Sequence, residues 1–374
     1  MPGAVRPFQG ALVATGRRTP VFHKLTVSTV ERLTDDAVTV TFDVPPECRA
    51  DFDFTAGQHL TLRTDLDGAE VRRNYSICAP AGGGKLRVAV KALPGGAFSS
   101  YVNGTLRAGD VIDVLTPTGT FSTQLDESHT KHYAAIAAGS GITPVLSLLS
   151  TILAAEPESR FTLLYGNRNA RTVMFLDELA DLKDRYPDRL HLVHVFSRET
   201  QDVPLFEGRI EGAKLERLLD TLLPPGDVDE WFLCGPFAMV EAVRPVLTGR
   251  GVDPHHVHFE LFHVEDAPPP PRRAPDESGD RPTSEVTVIL DGRTTKVPVE
   301  RDGDRILDAV LRVRGDAPYA CKGGVCGTCR AQLVTGQVEM EQCYALEDDE
   351  VAAGFVLTCQ SHPVTAEVTL DYDR

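Results

Sequence analysis

The sequence predicts a multidomain fold: an antiparallel β-barrel, an α/β parallel sheet and a small α+β domain. Three observations predict it. At roughly 100–200 residues per domain, a 374-residue chain holds two or three domains. Short strand-like runs fill residues 24–126, whereas buried strands alternate with helical stretches over 127–265. A proline-rich stretch, 266–283, then sets residues 284–374 apart.

Residues 1–23, rich in Gly, Pro and Arg, read as an N-terminal tail. In the barrel, LTVSTVERL and AVTVTFDV alternate β-branched residues, and GQHLTLRTDL, YSICAP and LRVAVKAL follow, each closed by Gly, Pro or Asp. HYAAIAAG then reads as a buried strand, and TPVLSLLSTILAA has helical apolar spacing with Pro144 suited to a first turn. FTLLYG, LHLVHVFS and EWFLCG are further buried strands, separated by the helical stretches MFLDELADLKDRY and AKLERLLDTLL. That alternation implies βαβ units and a parallel sheet. DAPPPPRRAPDESGDRP holds six prolines and mixed charges, cannot bury a core, and reads as a linker. Beyond it, EVTVILDG and TKVPVE form a hairpin and RILDAVLRVRG an amphipathic helix.

The net charge of -16 argues against nucleic acid, whose phosphates call for clustered Lys and Arg. No apolar run reaches the 18 or so residues of a membrane helix. The N-terminus lacks the apolar core of a secretory signal, so a cytoplasmic protein with thiols or metal ligands is expected, rather than disulfides.

Four of the eight cysteines share one pattern. Cys321, Cys326 and Cys329 are spaced C-x4-C-x2-C, and Cys359 follows 30 residues on. This is the plant-type [2Fe–2S] spacing, four thiolates holding two irons at a potential of typically about -400 mV. In CKGGVCGTC, Gly323, Gly324 and Gly327 let the backbone fold tightly and aim N–H groups at sulfur. A zinc site would call for paired C-x2-C spacing, which is absent. Such a cluster carries one electron and accepts no hydride, so the first two domains must supply single electrons.

The barrel carries Arg73-Asn74-Tyr75-Ser76, after an edge bearing Gln58 and His59. Arg can neutralise a pyrophosphate, Tyr can stack on a ring, and Ser can hydrogen-bond a ring nitrogen. Alone, the motif fits a solvated strand end equally well. In GGAFSSYV, Gly96, Phe98 and Ser99 can open a helix whose amides meet phosphate. In the α/β domain, AAGSGITP offers Gly139 and Gly141 for close backbone approach, although Pro144 replaces the last Gly of G-x-G-x-x-G. Other strand ends carry Tyr165-Gly166-Asn167-Arg168, Ser197-Arg198 and Cys234-Gly235-Pro236, where a ligand crevice lies in such sheets.

In this order, R-x-Y-S, G-S-G-I-T-P and C-G-P resemble the ferredoxin–NADP reductase superfamily. With its C-terminal plant-type ferredoxin, the chain resembles the reductase component of a multicomponent oxygenase. More narrowly, RRNYSIC, VAVKALPGGAFS, AIAAGSGITP, LLYGNR and PYACKGGVCGTC resemble the reductase subunits of phenylacetyl-CoA epoxidases, across roughly residues 24–374. The resemblance implies a β-grasp ferredoxin domain, an FAD-binding barrel and an NAD(P)-binding α/β domain. Arg73 would bind FAD pyrophosphate, Tyr75 would stack on the flavin, and Ser76 would approach its reactive nitrogen. Gly96, Phe98 and Ser99 would line the phosphates, with Val90 and Lys91 in the cofactor-binding set. Gly139, Gly141, Ile142, Thr143 and Pro144 would hold the dinucleotide pyrophosphate. Cys234 would sit near the nicotinamide, with Gly235 and Pro236 shaping the elbow, and Glu260 and Phe262 would lie close to the flavin. Ser76, Cys234 and Glu260 form the expected catalytic set.

Arg168, Ser197 and Arg198 suit a 2′-phosphate, favouring NADPH over NADH, although solvated strand-end charges fit Arg168 and Arg198 too. Cys48 and Cys343 read as incidental thiols, and Cys78 as barrel packing. Glu347-Asp348-Asp349-Glu350 reads as a solvated helix start or an acidic docking face. Residues 284–374 hold 16 acidic and 9 basic side chains, so a basic partner would be steered there. The implied activity is transfer of electrons from NADPH through FAD and [2Fe–2S] to a di-iron oxygenase component. Reduction of a ring-hydroxylating or alkane oxygenase is the near alternative. A non-enzymatic redox sensor or electron carrier is the remote one.

Overall fold

A computed structural model describes residues 5–6, 20–262 and 282–374. The expected tail, 1–23, and linker, 266–283, therefore lie mostly outside the described residues. Two compact units are present, one over described residues 22–262 and one over 282–374 with Val5.

The first unit begins with β1 (Phe22–Thr34), β2 (Ala37–Asp43), β3 (His59–Leu66), β4 (Ala69–Ser76) and β5 (Leu86–Lys91). Helix α1 (Ala97–Gly104) and β6 (Val111–Leu115) follow. The six strands pair antiparallel in the order β4-β3-β6-β1-β2-β5, and a bridge between Ile77 and Val88 brings the two ends together. Alternation sends Leu25, Val27, Val38, Val40, Leu60, Leu62, Val88 and Val90 inward. At the β3–β4 hairpin, Asp67 and Gly68 both take positive φ, 57° and 81°, as a two-residue type I′ turn requires.

The same unit continues with β7 (His132–Ala138), α2 (Ile142–Ala155), β8 (Arg160–Asn167), α3 (Leu176–Arg185), β9 (Leu190–Phe196), α4 (Gly212–Leu222), β10 (Glu230–Gly235), α5 (Phe237–Gly249) and β11 (Val257–Leu261). These strands form a parallel sheet in the order β11-β10-β7-β8-β9. The order reverses beside β7, the point where sheets of this kind receive a ligand at the strand carboxyl ends. Helix α2 is buried from Ile142 to Leu153, and Ser147 donates to the Ala79 carbonyl at 2.7 Å. The helix thus packs against the barrel as well as its own sheet.

The second unit comprises β12 (Thr283–Leu290), β13 (Arg293–Glu300), α6 (Ile306–Leu311), β14 (Arg330–Thr335), β15 (Val338–Met340), α7 (Asp348–Ala352), β16 (Phe355–Leu357), β17 (Ser361–Pro363) and β18 (Glu367–Asp371). A mixed sheet, β13-β12-β18-β14-β16, packs Val286, Val288 and Leu290 against Ile306, Leu307 and Val310 of α6. Val5 donates to the Val338 carbonyl at 2.8 Å. Among the described residues, no helix is long and apolar enough to cross a membrane.

Three element expectations need correction. YSICAP does not form a strand; Tyr75 and Ser76 end β4, whose AEVRRN part is too polar to signal one. RILDAVLRVRG is helical only through Leu311: Arg312 and Val313 are exposed, and Arg314 instead turns back to donate to Thr295 Oγ1 at 3.1 Å and the Leu290 carbonyl at 3.4 Å. The short strand β6 was not foreseen in its Gly-Asp-bounded setting.

Candidate functional site

Strand alternation in β4 sorts its residues onto two faces. Arg73 and Tyr75 share one face, and Asn74 and Ser76 share the other. Arg73 is exposed and donates from Nη1 to the Arg72 carbonyl at 2.7 Å. The Tyr75 ring lies 5.8 Å from that of Phe98, and burial pushes its phenol well up, against the opposing charge of Arg73. On the other face, Thr61 Oγ1 donates to Asn74 Oδ1 at 2.9 Å, while Asn74 Nδ2 is buried without a partner. An exposed guanidinium, a ring and an orphaned amide donor along one strand fit a flavin dinucleotide.

Gly96 caps α1, and Ser99 Oγ donates to the Gly96 carbonyl at 3.1 Å while accepting from the Leu93 N–H, also at 3.1 Å. Val90 and Phe98 are core side chains, 0% and 1% exposed. They can present only backbone to a cofactor, which narrows their expected role. Lys91 Nζ lies 3.5 Å from Asp36 Oδ1.

The three expected catalytic residues come together. Ser76 Oγ donates to Glu260 Oε2 at 2.8 Å. Cys234 and Glu260 lie side by side in the parallel pairing of β10 with β11. Burial, reinforced by the Glu260 charge, pushes the Cys234 thiol well up, so it stays neutral. His59, opposite Ser76 in the β3–β4 pairing, places Nδ1 3.6 Å from Glu260 Oε1. Its Nε2 meets Thr118 Oγ1 at 3.2 Å. The sequence reading placed His59 at this edge without its partners, and it missed Thr118. Phe262 is half-buried against the cluster that contains Cys234.

The strand ends beside β7 are shaped by backbone. Gly139 has φ of +55°, and a Cβ there would meet nothing within 4 Å, leaving room for a pyrophosphate. At Gly141 a Cβ would lie 2.0 Å from the Cys234 carbonyl oxygen. Tyr165 Oη donates to the Gly139 carbonyl at 3.0 Å, and Thr143 Oγ1 donates to that of Ser140 at 3.0 Å. Ile142, Thr143 and Pro144 are buried, so their contribution is the amide end and dipole of α2 rather than side-chain contact. Gly235 closes β10, and Pro236 caps α5. Ser197 N–H donates to the Asn167 carbonyl at 2.9 Å, and Arg198 N–H to that of Arg168 at 2.8 Å. Arg198 is exposed, whereas Arg168 Nη2 donates to Asp36 Oδ2 at 3.0 Å.

In the second unit, the Cys321 thiol interacts with those of Cys326 and Cys359, and the Cys359 thiol with that of Cys329. Gly323 N–H donates to Cys321 Sγ at 3.3 Å, and Gln360 Nε2 lies 3.7 Å from Cys359 Sγ. Cys329 and Cys359 are buried, while Cys321 and Cys326 are half-buried. Among the described residues no three or more His, Cys, Asp or Glu converge as the shell of one ion. Four neighbouring thiols, two of them with N–H donors on their sulfurs, fit a cluster that divides its ligands between two irons. Cys343 is half-buried, and burial pushes its thiol up to about 11. Cys78 is buried, but it packs in the cluster around α2 and the parallel sheet rather than in the barrel core, with its thiol pushed up to about 12 by burial.

Family models match along the chain. Residues 24–123 match an oxidoreductase FAD-binding domain, 135–245 an oxidoreductase NAD-binding domain, and 288–364 a 2Fe-2S iron-sulfur cluster binding domain. The chain belongs to the ferredoxin reductase family that serves multicomponent oxygenases, with FAD-, NAD- and 2Fe-2S-binding domains in one polypeptide. Within it, the chain is 46% identical over 352 residues to a subunit of the 1,2-phenylacetyl-CoA epoxidase of Escherichia coli K12, covering 94% of this chain and 98% of that one. It is 33% identical to the ferredoxin reductase component of 3-ketosteroid-9-alpha-monooxygenase of Rhodococcus rhodochrous, covering 93% and 96%. The fold is shared with phthalate dioxygenase reductase, at a TM-score of 0.55, 22% identity and coverage of 94% and 98%. It is shared also with an intact type IV self-sufficient cytochrome P450 monooxygenase, at a TM-score of 0.67 and 24% identity, covering 93% of this chain and 41% of that one.

Proposed function

We propose that this chain is the reductase subunit of a phenylacetyl-CoA epoxidase, passing electrons from NADPH to a di-iron oxygenase component. The observation that carries this reading is the end-to-end likeness to the Escherichia coli protein, 46% identical over 94% of this chain. Bound nicotinamide and flavin supply hydride transfer, and a [2Fe–2S] cluster supplies single-electron transfer.

The protein binds, orients and excludes water. Arg73 offers its guanidinium to the FAD pyrophosphate, and Asn74, on the opposite face of β4, keeps a buried amide donor without a protein partner. Ser76 holds its hydroxyl proton toward Glu260 Oε2, and His59 steadies Oε1. Ser76, His59 and Cys234 are 3%, 4% and 0% exposed, so this corner is dry and its electrostatics are strong. The amides at Gly139–Gly141 take the dinucleotide pyrophosphate, and Cys234 supplies a neutral wall for the nicotinamide. The exposed Arg198 beside Arg168 supports NADPH as the donor, since a 2′-phosphate needs such cations. Cys321, Cys326, Cys329 and Cys359 hold the irons. Four cysteines as iron ligands, with Cys48, Cys78, Cys234 and Cys343 as thiols, support a reducing, cytoplasmic setting.

Reconstitution tests this. Purified protein should show flavin and iron–sulfur absorbance that NADPH bleaches, and with its oxygenase component it should support phenylacetyl-CoA epoxidation. Failure there, with success alongside another oxygenase, overturns the assignment. The 33% identity to a ketosteroid monooxygenase component makes a different oxygenase the second reading.

A further inference from the structure

Two cations expected in the cofactor sites share one carboxylate. Asp36 stands in the turn between β1 and β2. Arg168, directly after β8, donates from Nη2 to Asp36 Oδ2 at 3.0 Å, and Lys91, ending β5, places Nζ 3.5 Å from Oδ1. The Thr34 hydroxyl donates to Oδ1 at 2.9 Å, and Ala92 N–H donates to the Asp36 carbonyl at 2.7 Å. The carboxylate is therefore fixed from its own turn and from β5. Burial would raise its pKa, but Thr34, Lys91 and Arg168 together hold it below the usual carboxylate range, so it is ionised at neutral pH.

We propose that Asp36 sets the strength of the 2′-phosphate site by competing for Arg168. This rests on the NADPH reading above. A 2′-phosphate reaching Arg168 must share the guanidinium with a carboxylate 3.0 Å away, and the two anions repel. Arg198, on the neighbouring strand end, is exposed, so Asp36 acts on one of two cations and weakens the site without closing it. The Asp36–Arg168 side chains are 32% and 48% exposed, which makes the effect modest. NADH carries no 2′-phosphate and is indifferent to the competition. Asp36 thus tunes dinucleotide selectivity from the β1–β2 turn, which contacts the end of β8.

Steady-state kinetics of the full-length holoenzyme with NADPH and NADH test the proposal, with flavin absorbance recorded to follow any effect through Lys91. Asp36→Asn should lower the NADPH KM about three- to fivefold, the size of a half-exposed ion pair, and move the NADH KM less than twofold. Asp36→Glu keeps the charge and should move the NADPH KM less than Asp36→Asn does. In an Arg168→Gln background the Asp36→Asn effect should vanish. An unchanged or raised NADPH KM, an equal shift for NADH, or persistence of the effect without Arg168 overturns the proposal. The NADPH reading fails separately, if the unaltered enzyme does not prefer NADPH and Arg198→Gln leaves its KM unmoved.

Discussion

Gly141 lies against the backbone of Cys234 so closely that a Cβ would come within 2.0 Å of the carbonyl oxygen and 2.4 Å of the carbonyl carbon. Backbone cannot step aside as a flexible side chain can. The turn proposed to receive phosphates is thereby keyed to the strand end proposed to face the nicotinamide. Gly141→Ala should open this contact at about 1–3 kcal/mol and raise the NADPH KM at least tenfold. Flavin absorbance should remain, since the barrel is untouched. Thermal denaturation and stopped-flow reduction check both parts.

Ser76 and Glu260 share a hydrogen bond to a carboxylate, of the kind worth about 1.5–3 kcal/mol. Ser76→Ala should therefore slow reduction of the flavin by NADPH about 10- to 100-fold, with flavin still bound. Single-turnover stopped-flow absorbance measures it, and an unaffected rate would remove Ser76 from the catalytic set.

Replacing Cys359 with Ser should abolish iron–sulfur absorbance while NADPH still bleaches the flavin. Electron paramagnetic resonance of the dithionite-reduced protein reads cluster loss directly. Loss of both signals would mean that the two units depend on each other to fold.

Glu230 links folding to pH. Burial alone would raise its pKa, but His258, His256 and Lys131 outweigh that and hold it at about 2. Its partners stand close, His258 Nε2 at 3.0 Å and Lys131 Nζ at 3.3 Å. A folded pKa below the unfolded value, about 4.3, stabilises fully above that pH and is lost as pH falls toward 2. The contribution is on the order of 2–3 kcal/mol. Glu230→Gln should lower the melting temperature at pH 7 and flatten its fall between pH 5 and pH 2, as differential scanning calorimetry would show.

Local chemistry was legible in the sequence, and long-range pairing was not. The cysteine spacing, the Gly139–Gly141 turn and the Cys234 elbow each lie within a few residues, so composition and spacing expose them. The Ser76–Glu260 bond joins residues 184 apart, and the Arg168–Asp36 bond residues 132 apart. Family resemblance brought Glu260 toward the flavin, but nothing in the residues named His59 or Asp36 as partners. Periodicity also failed where polar strands serve the site. In β4, Arg72, Arg73 and Asn74 replace the apolar alternation that marks a strand facing a core.

That strand works as a reading frame. Arg73 and Tyr75 occupy one phase, Asn74 and Ser76 the other, and the two-residue Asp67–Gly68 turn sets where the frame begins. Slippage by one place would swap all four side chains at once, removing ring and guanidinium together and turning Ser76 away from Glu260. Slippage by two would keep the phase but carry Ser76 past His59. Substitutions along this hairpin can be absorbed one by one, whereas an insertion or deletion at its turn alters the whole site.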